Sequence, residues 1–258
     1  MKNRLLKIGG LLILVAVISI GISPADPANA QTLEEGSLLL SVTEFTIKPG
    51  HDTQFREGVK AWKSCYLENE GDWTWDVWNR VQGEGNVYTL SSFMGSWAEM
   101  DDSSDEAGQA CQNLAQNLIN TSIETATRNF FRTMPSLSKS EAVPNNVINV
   151  TNWRVNNRTL FMETVDEIVA ATVSAFDEPR GYWRDAVGGD LNAPHFYFLA
   201  PFENFAAMDA PWEDAFTVVE NEMGKSERDR IEANYLASVD EVWSFMYRKI
   251  DDLSHSGN

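Results

Sequence analysis

Val42-Thr43-Glu44-Phe45-Thr46-Ile47, near the start of the chain, is answered 108 positions later by Val150-Thr151-Asn152-Trp153-Arg154-Val155. Working outward from that pair, further matches follow in the same order. Tyr88-Thr89-Leu90-Ser91-Ser92-Phe93 is matched by Tyr197-Phe198-Leu199-Ala200-Pro201-Phe202, and Trp97-Ala98-Glu99-Met100-Asp101 by Phe205-Ala206-Ala207-Met208-Asp209. The closing segments also correspond: Ser122-Ile123-Glu124 through Phe131-Arg132 to Leu137-Ser138, and Ser238-Val239-Asp240 through Tyr247-Arg248 to Leu253-Ser254. Blocks repeated in one order imply a tandem duplication, with copies over 31–138 and 147–254, a linker over 139–146 and a tail over 255–258.

Periodicity within each copy predicts the same element order. Residues 38–47 alternate and are rich in β-branched and aromatic types, which indicates a strand. Phe55, Val59, Trp62 and Tyr66 then fall on one helical face over 52–68. Strands follow over 73–81 and 86–93 around Gln82-Gly83-Glu84-Gly85, then helical segments at 96–100 and 105–120, then a strand over 123–134. The second copy reads as strand 147–155, helix 158–176, strands 181–187 and 195–202, helix 205–233 and strand 238–250. That order is βαββαβ, the ferredoxin-like unit, whose helices cover one face of a four-stranded sheet. The other face, roughly 300–400 Å², needs a cover. The expected fold is therefore α+β: tandem ferredoxin-like units packed sheet to sheet as an intramolecular pseudo-dimeric α+β barrel, and hence a monomer. Two separate beads are the alternative.

Lys2, Arg4 and Lys7 precede an apolar run over 8–22, and Ala28-Asn29-Ala30 offers a small-x-small cleavage pattern. Residues 1–30 thus read as a signal peptide, which makes the mature protein soluble and either periplasmic or secreted. An uncleaved anchor is the alternative, though the run is shorter than the ~20 residues that span a bilayer. Cleavage removes three of the 20 basic and one of the 38 acidic side chains, leaving 17 and 37. So acidic a surface repels phosphate backbones and anionic lipid, so neither nucleic acid nor membrane is an expected partner. Cys65 and Cys111 both lie in helical segments of the first copy. In an oxidising compartment they are expected to form a disulfide between those segments, with two buried thiols as the alternative.

Val42-x-Glu44-Phe45-x-Ile47-Lys48-Pro49-Gly50-His51 with Phe55, Tyr88-x-Leu90-x-x-Phe93 and Trp97-Ala98 resembles the dimeric α+β barrel superfamily, including the antibiotic-biosynthesis monooxygenase-like domains. The resemblance covers both copies and implies that a pair assembled elsewhere from two chains is here fused. Haem-degrading members use a strand-one asparagine, matched in position by Asn152, and a histidine on the second helix. Neither corresponding helix here contains a histidine. No cofactor and no metal are therefore expected. Members that oxidise phenols without a cofactor need only a pocket lined by such residues as asparagine, tryptophan, tyrosine or arginine.

The nine tryptophans stand out. Trp78 corresponds to Trp183 in the second copy, each with an arginine close by, Arg80 and Arg184. These rings either fill the core or line an apolar cleft for a flat ligand whose anionic group an arginine fixes. Candidate ligand-facing residues are Glu44, Trp78, Arg80, Tyr88, Arg132, Arg184, Tyr197 and Arg248. His195, beside Phe196 and Tyr197 at the mouth of a strand, is the best placed of three histidines, since His51 sits on a turn and His255 in a tail expected to be disordered. The expected function is binding of a small aromatic or apolar ligand in a Trp-lined pocket without catalysis. The alternative is a cofactor-independent monooxygenase-like enzyme acting on a small aromatic substrate, with Asn152, Trp183 and His195 as its catalytic residues.

Overall fold

The computed structural model describes residues 34–101, 105–141 and 145–256. The expected signal peptide over 1–30 lies outside the described residues, as do parts of the expected linker and tail. The strands are β1 (Leu39–Ile47), β2 (Asp76–Arg80), β3 (Asn86–Met94), β4 (Ile123–Thr133), β5 (Val147–Val155), β6 (Tyr182–Gly188), β7 (Phe196–Phe202) and β8 (Val239–Lys249). The helices are α1 (Asp52–Glu68), α2 (Glu106–Ala110), α3 (Gln112–Leu114), α4 (Arg158–Phe176), α5 (Ala215–Met223) and α6 (Lys225–Ser238). Among the described residues, no helix is long and apolar enough to cross a membrane.

The strands close into one antiparallel barrel in the order β1-β3-β2-β8-β5-β7-β6-β4. This corrects the expectation of tandem ferredoxin-like units joined sheet to sheet. β2 hydrogen-bonds to β8 through Trp78–Lys249, Asn79–Arg248 and Arg80–Tyr247, and β4 pairs with β6 from Phe130–Gly188 to Thr133–Arg184. The physical reason lies at the strand edges. Face-to-face packing would hide apolar area but leave β2, β4, β6 and β8 each with a row of unpaired N–H and C=O groups. Edge-to-edge closure pairs those groups and encloses the bare faces in the same step.

The outer faces are covered by helices. Phe55, Val59 and Tyr66 of α1 pack with Ile47, Val77 and Tyr88 of the barrel and with Trp75. Phe161, Val165 and Val169 of α4 pack with Trp153, Trp183 and Phe196. α5 and α6 add a second layer, with Val219 and Ile231 against Ala171.

Two helical expectations are broken up. The segment over 105–120 divides at Cys111 into α2 and α3 and ends in a wide turn over Ala115–Ile119. That turn comes so close to α1 that a Cβ on Gly58 would stand 2.9 Å from the Leu118 Cβ. The expected helix over 205–233 is a short turn, Phe205–Asp209, followed by α5 and α6. Pro211 lies in the gap, Asp214 caps α5 by accepting from the Phe216 and Thr217 N–H groups, and Gly224, at φ +88°, turns the chain into α6.

The C-terminal segment, expected to be disordered at His255, is paired instead. Trp75 and His255 exchange two backbone hydrogen bonds of 2.8 Å. The Trp75 indole donates to the Leu253 carbonyl, and Val77 N–H donates to Ser254 Oγ.

Cys65 and Cys111 form a disulfide with Cα atoms 6.0 Å apart, joining the end of α1 to the α2–α3 junction. It closes a loop of separation 46. Replacing both cysteines by serine is expected to lower the unfolding free energy by about 2–4 kcal/mol, read from urea midpoints. An unchanged midpoint would contradict this.

Candidate functional site

Side chains alternate across a strand, so each strand sends every second residue inward. Leu40, Val42 and Glu44 of β1 and Ile148, Val150 and Asn152 of β5 face one interior cavity of about 630 Å³, and all eight strands contribute to its wall. Trp243, Phe245 and Tyr247 of β8 supply its aromatic side. Segments at 139–141 and 190–194 border it. The cavity spans both halves of the chain, because the barrel is closed.

Five of the candidate residues line this cavity: Glu44, Trp78, Asn152, Arg184 and Tyr197. On the strand ladder Arg184 stands beside Tyr197, and Tyr197 beside Asn152. In the first half Trp78 stands beside Thr89, and Thr89 beside Glu44. The two sets meet through Tyr247, which reaches across from β8 to donate its hydroxyl to Glu44 Oε1 at 3.3 Å.

The remaining candidates lie elsewhere. Trp183 points out of the barrel and stacks on Trp153 at 5.0 Å, under Phe161 of α4. Tyr88 also points outward, packs on Phe55 and donates its hydroxyl to Asp52 Oδ1 at 2.7 Å. His195 is exposed, and its Nδ1 accepts the Val155 N–H at 3.1 Å. Arg80 lies over the Phe245 ring, 4.6 Å from its centroid, and donates to the Glu84 carbonyl. Arg132 and Arg248 do not line the cavity; Arg248 is exposed and stands opposite Asn79.

Matching Trp78 with Trp183 and Tyr88 with Tyr197 therefore sets inward residues against outward ones. The packing gives a different correspondence: Tyr88 and Phe196 both lie under the helix phenylalanines Phe55 and Phe161. A one-residue offset in a strand exchanges its faces. Trp243, Phe245 and Tyr247 are not among the candidates, because on β8 the arginine after Tyr247 is the candidate rather than the aromatic residues. The strand's alternation over 243, 245 and 247 carried the signal.

Burial sets the electrostatics. Tyr197 is held protonated, pushed up to about 12, first by burial and against the opposing pull of Arg184. Tyr247 is raised too, by burial first and then by Glu44. Burial lowers the pKa of Arg184 from its ordinary value, although the neighbouring Tyr197 and Tyr182 favour its charged form. Thr89 Oγ1 is buried with no hydrogen-bond partner. Asp76, also in the wall, is paired with Lys249 at 2.6 Å. No histidine lines the cavity, so these residues do not fit a histidine-ligated haem. Among the described residues, no group of three or more His, Cys, Asp or Glu side chains is placed to hold a metal ion.

No family model matches the chain, and no curated protein matches it in sequence. Solved structures do resemble it. A candidate monooxygenase from Lactobacillus acidophilus is 10% identical with a TM-score of 0.52, covering 83% of this chain and 94% of that one. An anthrone oxidase-like protein is 12% identical with a TM-score of 0.51, over 83% and 91%. A candidate chlorite dismutase is 14% identical with a TM-score of 0.50, over 84% and 96%. At these identities the likeness shows a shared fold and nothing finer.

The shifted tyrosines have a consequence for stability. Tyr197 and Tyr88 are both raised from 10.0 to about 12. Unfolded tyrosines ionise near 10, while these stay protonated in the fold. Their contribution is complete below pH 10 and is lost as pH climbs towards 12. Tyr197→Phe should show a shallower fall in urea midpoint across that window than the parent. An equally steep fall in both would contradict the shift.

Proposed function

We propose that the barrel interior is a binding site for a small aromatic or apolar ligand. The carrying observation is the cavity itself: about 630 Å³, walled by inward residues of every strand. Specific small-molecule sites are concave, mostly apolar and supplied with a few fixed polar groups. Here Leu40, Val42, Ile148, Val150 and Leu199 form the apolar wall, and Glu44, Asn152, Arg184 and Tyr197 are the proposed orienting groups. The mature protein is proposed to be exported, a reading supported by the Cys65–Cys111 disulfide and the composition of residues 1–30. The chain is proposed to have arisen by internal duplication. In support, β1 pairs with both β3 and β4, and β5 pairs with both β7 and β8.

A second reading is a cofactor-independent oxygenase, favoured by one observation. The Asn152 amide is buried against the cavity with only a 3.4 Å contact to the Val150 carbonyl, leaving it able to orient a substrate. In that reading Asn152 acts with Tyr197 and Tyr247, since Trp183 and His195 are spent outside the cavity wall.

A neutral probe, N-phenylnaphthylamine, should bind the purified protein with enhanced fluorescence. Val150→Trp, which fills the cavity from one wall, should weaken that binding at least ~10-fold. Equal affinity in parent and variant, with both folded, would contradict the interior site. Native mass spectrometry of protein from its own source should show a bound small molecule.

A further inference from the structure

Arg184 carries an observation that ligand binding alone leaves unexplained. The residue lines the cavity and is buried, 7% exposed. Nη1 donates to the Trp183 carbonyl at 2.8 Å, and Nε has no partner. The rings of Tyr182 and Phe93 stand 5.6 and 6.0 Å from Cζ. At that separation a cation–ring attraction is at the edge of its range. No carboxylate among the described residues forms an ion pair with it; the neighbouring groups that favour its charge are Tyr197, through its charge and its side-chain hydroxyl, and Tyr182. Lys139, the other cation on the wall, is by contrast paired with Glu178.

A buried charge without a counter-charge is costly, and it is more so to keep one where 38 acidic side chains are available to pair with it. Fixed and partly unbonded, the guanidinium offers its planar donors to a planar anion, the geometry in which arginine binds carboxylates. From this we infer that the ligand is an aromatic carboxylic acid, its carboxylate on Arg184 and its ring among the apolar side chains of the barrel. This rests on the cavity being a binding site, and it assigns that site a charge preference. Of the four carboxylates on the wall, Asp76 is paired with Lys249, Glu44 accepts a hydrogen bond from Tyr247, and Asp190 and Glu141 lie on the bordering segments, where Asp190 accepts from the Asn192 N–H.

The test compares 2-naphthoate with its uncharged isostere 2-naphthamide by calorimetry on the purified protein. Naphthoate should bind about 10- to 100-fold more tightly, the range of a charge-assisted hydrogen bond. Arg184→Gln should lose that advantage, so that acid and amide bind alike, while Arg184→Lys should retain part of it. Equal affinity for acid and amide overturns the charge preference and leaves the apolar site standing. Binding of neither compound overturns both readings. If Arg184→Gln fails to fold, the comparison on the parent protein decides alone.

Discussion

A β-strand at the edge of a sheet carries backbone donors and acceptors that must be paired or wetted, and this molecule has four such strands to satisfy. β2 and β4 are the edges of the first half; β6 and β8 are those of the second. Joining β2 to β8 and β4 to β6 removes all four edges at once. The interior exists because of those two seams. Open either one and the inward faces of eight strands would meet water, and the wall around the cavity would no longer be continuous. The seams also dictate that residues far apart in the chain share one site. Glu44 and Tyr247 touch across a separation of 203 residues.

Closure divides the aromatic residues into two populations with different work. Outside the barrel, Trp75, Trp153 and Trp183 lie buried under α1 and α4 beside Phe55, Tyr66 and Phe161. Inside, Trp78, Trp243, Phe245 and Tyr247 leave a gap that they wall without filling. Large rings around a closed ladder cannot all meet at the axis, so a barrel of eight strands is either filled by well-chosen side chains or left with room for one small molecule. Polar side chains share that wall, and among them Arg184 and Thr89 each retain an unpaired atom. Such groups are tolerable in a protein interior when something else completes them.

Much of the secondary structure was legible in the sequence because it rests on local periodicity. Phe55, Val59 and Tyr66 mark α1, and the Lys48-Pro49-Gly50 turn marks the point where β1 must end. The joining of the halves was not legible. Hydrogen bonding between strand edges is a backbone property, and no side-chain pattern records which edge will meet which. The face of each candidate was only half legible. Glu44 and Asn152 occupy equivalent inward positions and were matched in register, so both reach the cavity. Trp78 and Trp183 were matched by residue type, one position out of register, and only Trp78 faces inward. His195 is singled out by its place at the mouth of a strand beside Phe196 and Tyr197, yet its ring nitrogen serves the Val155 backbone.

The seam between β2 and β8 is the most direct place to test this picture. Asn79 and Arg248 are directly opposed there and both lie off the cavity wall, so their Cβ atoms should stand about 4.5–5.5 Å apart. Asn79→Cys combined with Arg248→Cys should form an intramolecular disulfide on mild oxidation, detected as a mass and mobility change in the folded protein. Asn79→Cys with Lys249→Cys, one position along the strand and on the opposite face, should remain unlinked. No bond in the first pair, or equal bonding in both, would mean that the halves are not joined edge to edge and that the barrel cavity does not exist.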